Sequence, residues 1–208
     1  MTPPVTTDSP TLIVDSLTCI KGSFEVFSKL SFTLSQGDML YVIGKNGSGK
    51  TTLLQALAGI QKPTKGSISI DLCQISYFGH LKALKSELTS YENLCFWSEL
   101  TDNTVNLELL ERFGLNQLID TLVRHLSEGQ KKKLALCCSL IPERKYWLLD
   151  EPYSSLDSES KLELANIIFQ HTHNNGIAIL TSHASELNEA TSVLNMEDYT
   201  SHYQHMPS

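Results

Sequence analysis

The chain has 208 residues, 41% hydrophobic and 19% charged, which is ordinary globular usage and excludes disordered and fibrous classes. Its net charge of −7 argues against a general nucleic-acid binder, since phosphate contacts need clustered Lys and Arg. Cys19, Cys73, Cys95, Cys137 and Cys138 are odd in number and contain no C-x-x-C pair, so neither a disulfide framework nor a zinc site is indicated, and a reducing cytosol is the natural compartment.

Residues 1–11 carry no basic stretch followed by an apolar one, and read as a flexible tail rather than a secretory signal. From residue 12 to about 77, short apolar runs alternate with turn residues, predicting strands at 13–14, 31–34, 40–43 and 68–70. One helix interrupts them at 50–58, with Leu53, Leu54, Leu57 and Ala58 on one face and Gly59 at its end. From about 81 to 140 the period becomes helical, clearest at 106–113 before Gly114 and at 133–140 before Pro142. Ser127 followed by Gln130 forms a capping box that starts a helix over 128–140, on which Lys131-Lys132-Lys133 reads as a solvated face. Then Tyr146-Trp147-Leu148-Leu149 and Ile177-Ala178-Ile179-Leu180 flank a helical stretch at 162–169. Strand, helix, strand with unalternating strands predicts a buried parallel sheet in an α/β fold. No apolar run approaches the roughly 20 residues of a membrane-spanning helix.

Directly after the run at 40–43 comes Gly44-Lys45-Asn46-Gly47-Ser48-Gly49-Lys50-Thr51-Thr52, which fits G-x-x-x-x-G-K-[ST] at a strand-to-helix junction. The glycines let successive N–H groups converge on phosphate oxygens, and the helix beginning near Lys50 adds its dipole. Lys50 is expected against the β- and γ-phosphates of a nucleotide, and the Thr51 hydroxyl on magnesium. The run Tyr146 to Leu149 ends in Asp150-Glu151-Pro152, at the carboxyl end of a parallel strand where such sheets bind ligands. Asp150 suits a water-bridged magnesium ligand, and Glu151 a general base on the attacking water. The second buried strand ends in Thr181-Ser182-His183, and that position marks His183 among the histidines.

Leu126-Ser127-Glu128-Gly129-Gln130 resembles the L-S-G-G-Q signature of ABC (ATP-binding cassette) ATPases. The order of phosphate loop, signature, Leu149-Asp150-Glu151-Pro152, the D-loop-like Ser154-Ser155-Leu156-Asp157 and the switch-like His183 matches that family over nearly the whole chain. The resemblance implies a P-loop NTPase fold with a mostly parallel RecA-like sheet, N-terminal antiparallel β-strands and an inserted helical subdomain. The ATPase domain would span 12–206, its core about 12–79 and 142–200 and the helical subdomain about 80–141. It further implies ATP and Mg2+ as ligands, and a head-to-tail pair of copies in which Ser127, Glu128, Gly129 and Gln130 complete the partner's site. Three positions depart from the pattern. Glu128 replaces the first signature glycine and is expected to point away from phosphate. The aromatic that stacks on adenine aligns with Lys21, leaving Phe24 as the substitute. Gly79-His80 stands where the Q-loop glutamine is usual.

Gly79-His80, Leu84-Lys85 and the stretch 88–94 resemble the ATP-binding subunits of the cytochrome c maturation system, the haem exporter ATPases. That resemblance implies a peripheral protein at the cytoplasmic face of the bacterial inner membrane. It would reach the membrane only through separate multi-spanning subunits, with His80 at the coupling position and ATP hydrolysis releasing a haem-loaded periplasmic chaperone. Another small-substrate exporter, or a soluble ABC ATPase working on nucleic acid or ribosomes, are the alternatives; the chain lacks the tandem cassettes, long coiled coils or basic patches usual in the latter.

Overall fold

The computed structural model describes residues 11–79, 84–101, 104–140, 144–182 and 192–200. Strands β1 (Leu12–Lys21), β2 (Phe24–Leu34) and β4 (Lys65–Ser69) form an antiparallel sheet in the order β2-β1-β4. Strands β3 (Met39–Ile43), β5 (Ile75–Phe78), β6 (Tyr146–Leu149), β7 (Ile177–Thr181) and β8 (Ser192–Asn195) form a second, parallel sheet in the order β5-β6-β7-β3-β8. The predicted α/β class and parallel sheet hold, as do the antiparallel N-terminal strands.

β1 and β2 run well beyond the predicted 13–14 and 31–34. Both carry a residue in the left-handed region, Ser16 at φ 50° and Lys29 at φ 55°, and the pairing register slips between Val14 and Leu17. Such bulges break the two-residue period that betrays a strand. β5 and β8 are short and half polar, and their pattern was not distinctive enough to predict them.

The parallel strands show why their sequences do not alternate. Met39, Tyr41, Trp147, Leu149, Ala178 and Leu180 join one core with Phe78 and helices α3 (Leu107–Arg112), α4 (Glu128–Leu140) and α5 (Ser158–His173). Their neighbours Leu40, Val42, Tyr146, Leu148, Ile177 and Ile179 join a second core with α1 (Lys50–Leu57) and the antiparallel sheet. Side chains leave a strand on alternating sides, so a sheet covered on both faces needs apolar residues at every position.

α1 and α3 fall close to the predicted ranges. α5 extends about a turn past the predicted 162–169 at its start, because the Asp157 carboxylate caps it by accepting from the Ser160 N–H at 2.8 Å. α2 (Ser90–Leu100) starts at a reciprocal capping box between Thr89 and Glu92, a T-x-x-E signal readable in the sequence. Among the described residues no helix is long and apolar enough to cross a membrane.

Far from the phosphate loop, at the amino ends of β6 and β7, His171 stacks on Trp147 with ring centroids 3.9 Å apart and planes 5° from parallel. Gly176 makes the room, since a Cβ there would meet the imidazole at 2.3 Å. Burial pushes the His171 imidazole down to about 4, with backbone contacts at Ile177 and Lys145 working the other way. The folded state therefore holds His171 neutral while the unfolded chain protonates it below its ordinary value near 6.5. This contribution is complete above about pH 6.5 and is lost as pH falls toward 4, amounting to about 3 kcal/mol for such a shift. Urea unfolding should show the stability gap between His171→Phe and the parent shifting in favour of the variant between pH 7.5 and pH 4.5. A gap independent of pH would show that His171 does not titrate on unfolding.

Candidate functional site

The loop Gly44–Gly49 leaves the carboxyl end of β3 and delivers Lys50 as the first residue of α1. Gly44, Gly47 and Gly49 all take positive φ, at 145°, 84° and 96°. At Gly49 a side chain would also collide with Val26, 2.7 Å from the built Cβ, so only glycine lets the loop close down on β2. The ammonium of Lys50, a residue only 6% exposed, folds back across the loop and donates to the carbonyls of Gly44 at 2.7 Å and Lys45 at 3.2 Å. Lys45, Asn46 and Gly47 form the exposed rim. Lys45 reaches Glu197 at 3.5 Å, an exposed pair of little energetic weight. Ser48 is buried inside the loop, and Thr52 lies on the buried face of α1.

Three strand ends and the start of α1 converge on Asp150, which is 3% exposed. Its Oδ2 accepts from the Thr51 hydroxyl at 2.8 Å, its Oδ1 accepts from the Thr181 hydroxyl at 2.6 Å, and its N–H donates to the Phe78 carbonyl at 2.8 Å. Burial and the Asp150 carboxylate together push the nearby Tyr77 phenol up, a hydrogen bond with Gln55 partly opposing them. Thr51 and Asp150 thus bring two hard oxygens to one point at the loop. No group of three or more His, Cys, Asp or Glu able to hold a metal occurs among the described residues. A pair of oxygens fits magnesium, which takes few protein ligands and shares the rest with water and phosphate.

Glu151 follows with φ 48°, a left-handed conformation costing a non-glycine residue about 1–2 kcal/mol. Its N–H donates to Thr181 Oγ1 at 2.7 Å, and its carbonyl accepts from Lys132 Nζ at 2.7 Å and Ser154 Oγ at 3.0 Å. Sequence alone gave no sign that Lys132, Thr181 and Ser154 meet at Glu151. Thr181 was visible as a polar residue closing an apolar strand, but nothing in the pattern pointed to Lys132.

The lysine run corrects the expectation of a solvated helix face. Lys131 pairs with Glu128 at 3.0 Å, Lys133 with Asp157 at 2.7 Å, and Lys132 is 7% exposed and turned inward. Lys133 and the capping bonds to Ser160 hold the Asp157 carboxyl well below the usual carboxylate range.

Ser127 and Gln130 form both bonds of the predicted capping box, Ser127 N–H to Gln130 Oε1 at 2.8 Å and Gln130 N–H to Ser127 Oγ at 3.2 Å. Gly129 lies 3.7 Å, measured from a built Cβ, from the Ser155 carbonyl. The Glu128 side chain is 76% exposed and pairs with Lys131. Phe24 opens β2, 64% exposed, two residues from the Val26 that abuts Gly49. His80 and His183 lie outside the described residues. The chain reaches the latter position through Thr181 and Ser182, both buried at the carboxyl end of β7.

A glycine loop between strand and helix, beside an acidic strand end on a parallel sheet, defines a P-loop nucleoside-triphosphate hydrolase. The family model for "ABC transporter" matches residues 27–154. The cytochrome c biogenesis ATP-binding export protein CcmA of Roseobacter denitrificans is 40% identical over 173 residues, covering 83% of this chain and 84% of that protein. The protein of the same name from Mannheimia succiniciproducens is 35% identical over 203 residues, covering 90% and 94%. A Pyrococcus furiosus ATP-binding protein described as an ABC transporter superposes with a TM-score of 0.82 at 23% identity over 92% of this chain and all of that one, which bears on the fold. The chain belongs to the ABC transporter family, and within it to the ATP-binding export proteins of the CcmA type. It binds and hydrolyses ATP.

Proposed function

We propose that this protein is the energy-coupling ATPase of a membrane complex serving cytochrome c maturation, in which two copies close head to tail on two ATP molecules. The membrane role draws on the relatives named above. The chemistry is supported most by one observation, the Thr51–Asp150 hydrogen bond at 2.8 Å, which joins the phosphate loop to the acidic strand end that carries Glu151.

The backbone N–H groups of Gly44 to Thr52 cradle the phosphates, and the Lys50 ammonium exchanges its loop carbonyls for β- and γ-phosphate oxygens. Thr51 and, through water, Asp150 would hold magnesium, which would supply charge neutralisation at the phosphates. Glu151 takes a proton from the attacking water as the water displaces ADP in line, and His183 orients that water or the γ-phosphate. Ser127, Gly129 and Gln130 of one copy meet the γ-phosphate held by the other, with Glu128 turned outward and Asp157 stabilising the segment between the two sites. Phe24 is proposed to stack on adenine.

The helical segment that includes α2, α3 and α4, within about 80–141, carries the surface for multi-spanning membrane subunits, with His80 at the contact. On this reading the protein works peripherally at the cytoplasmic face of the bacterial inner membrane, without nucleic acid as partner. Hydrolysis would drive release of a haem-loaded periplasmic chaperone. Co-expression with candidate multi-spanning membrane subunits tests this reading. The protein should sediment with membranes only in their presence, and deletion of its gene should abolish holocytochrome c. Full ATP turnover bound to RNA without any membrane subunit would reject the proposal.

A further inference from the structure

The proposed chemistry leaves Lys132 unused, although it is a buried amine on α4 whose nitrogen ends within hydrogen-bond reach of the proposed base. Lys132 Nζ donates to the Glu151 carbonyl at 2.7 Å and to Ser154 Oγ at 2.5 Å, and lies 5.8 Å from the centre of the Phe78 ring. A buried ammonium is retained only where such partners repay its lost hydration. The carbonyl it holds belongs to a residue at φ 48°, and a strained backbone persists only when its surroundings over-determine it. Thr181 fixes the other side of the residue through the Glu151 N–H, so the two bonds grip one residue from α4 and from β7.

We infer that Lys132 is a positioning residue for ATP hydrolysis: its ammonium clamps the Glu151 carbonyl in the left-handed conformation and so aims the Glu151 carboxylate at the attacking water. The inference rests on the reading of Glu151 as the general base. Lys132 lies on the same helix as Ser127–Gln130, the turn proposed to meet the partner's nucleotide. Seating of that turn is thereby tied to the aim of the copy's own carboxylate. A helix tie that merely holds α4 against residues 151–154 would make the same contacts, and kinetics separate the two roles.

The test uses the full chain assembled with its membrane subunits. Lys132→Met keeps the length of the side chain and removes the donor. It should lower kcat about 30- to 100-fold, as expected for a misplacement near 1 Å, with KM for ATP and the affinity for a fluorescent ATP analogue within about twofold of the parent. Lys132→Arg, which restores donors, should recover kcat to within about fivefold. In the Glu151→Gln background Lys132→Met should add less than about threefold, because both changes act through one carboxylate.

Near-parental turnover in Glu151→Gln would overturn the reading of the base. Turnover lost in Glu151→Gln but kept in Lys132→Met would overturn the present inference alone. So would a Lys132→Met effect that multiplies in full with Glu151→Gln, or one that Lys132→Arg fails to relieve. Should Lys132→Met not fold, Ser154→Ala carries the test. It removes a hydroxyl shared by the same ammonium and the same carbonyl, and should lower kcat severalfold at constant KM; an unchanged kcat in that variant overturns the inference.

Discussion

Glu151→Gln should abolish all but about one part in 100 to 10,000 of ATP turnover, the range general-base catalysis supplies, while leaving ATP affinity intact. The amide matches the carboxylate in shape, and every described bond to Glu151 uses its backbone: the N–H to Thr181 and the carbonyl from Lys132 and Ser154. The substitution therefore removes basicity without moving the strand end. On the proposed reading of Glu151 as the base it also removes a negative charge facing the γ-phosphate, so the ATP-bound pair of copies should become long-lived and elute from a sizing column at twice the protomer mass when ATP is present. Single-turnover and steady-state phosphate release measure the first effect. Turnover within tenfold of the parent would rule out Glu151 as the base.

Lys50→Ala should act one step earlier, on binding. The ammonium is held in place by two loop carbonyls, at 2.7 and 3.2 Å, and is buried before any phosphate arrives, so its side-chain entropy is already spent. Hydrogen bonds to charged groups contribute about 1.5–3 kcal/mol each, so losing the ones Lys50 would make to the β- and γ-phosphates should weaken ATP binding by about 100-fold or more. Titration with a fluorescent ATP analogue reads this directly. The fold should survive, because the freed carbonyls belong to half-buried Gly44 and exposed Lys45 in a surface loop, where water can replace the ammonium. Affinity within threefold of the parent would show that the lysine does not engage phosphate. The two variants are distinguishable, since Glu151→Gln traps nucleotide and Lys50→Ala fails to collect it.

Much of the phosphate site was legible because its determinants are contiguous. Gly44 to Thr52 form one loop whose glycines are needed by the backbone itself, and the positive φ at Gly44, Gly47 and Gly49 is what the residue types had announced. The capping box at Ser127 and Gln130 was readable for the same reason, its two hydrogen bonds spanning three residues. So were β6 and β7, since a strand buried on both faces must be apolar throughout.

The lysine run shows where that legibility stops. Lys131, Lys132 and Lys133 are indistinguishable in sequence, yet one pairs with its own helix, one is buried under Glu151 and one neutralises Asp157. A helix turns about 100° per residue, so three consecutive side chains face three directions, and what they meet depends on elements far along the chain. The sequence by itself determined the nucleotide loop, the acidic strand end, the ATPase family and the α/β class. Only the tertiary structure decided that Thr51 and Thr181, 130 positions apart, share Asp150, and that Lys132 reaches the strained backbone of Glu151. Local sequence sets backbone conformation through sterics and capping, whereas a hydrogen bond between distant strands and helices exists only once packing brings their ends together.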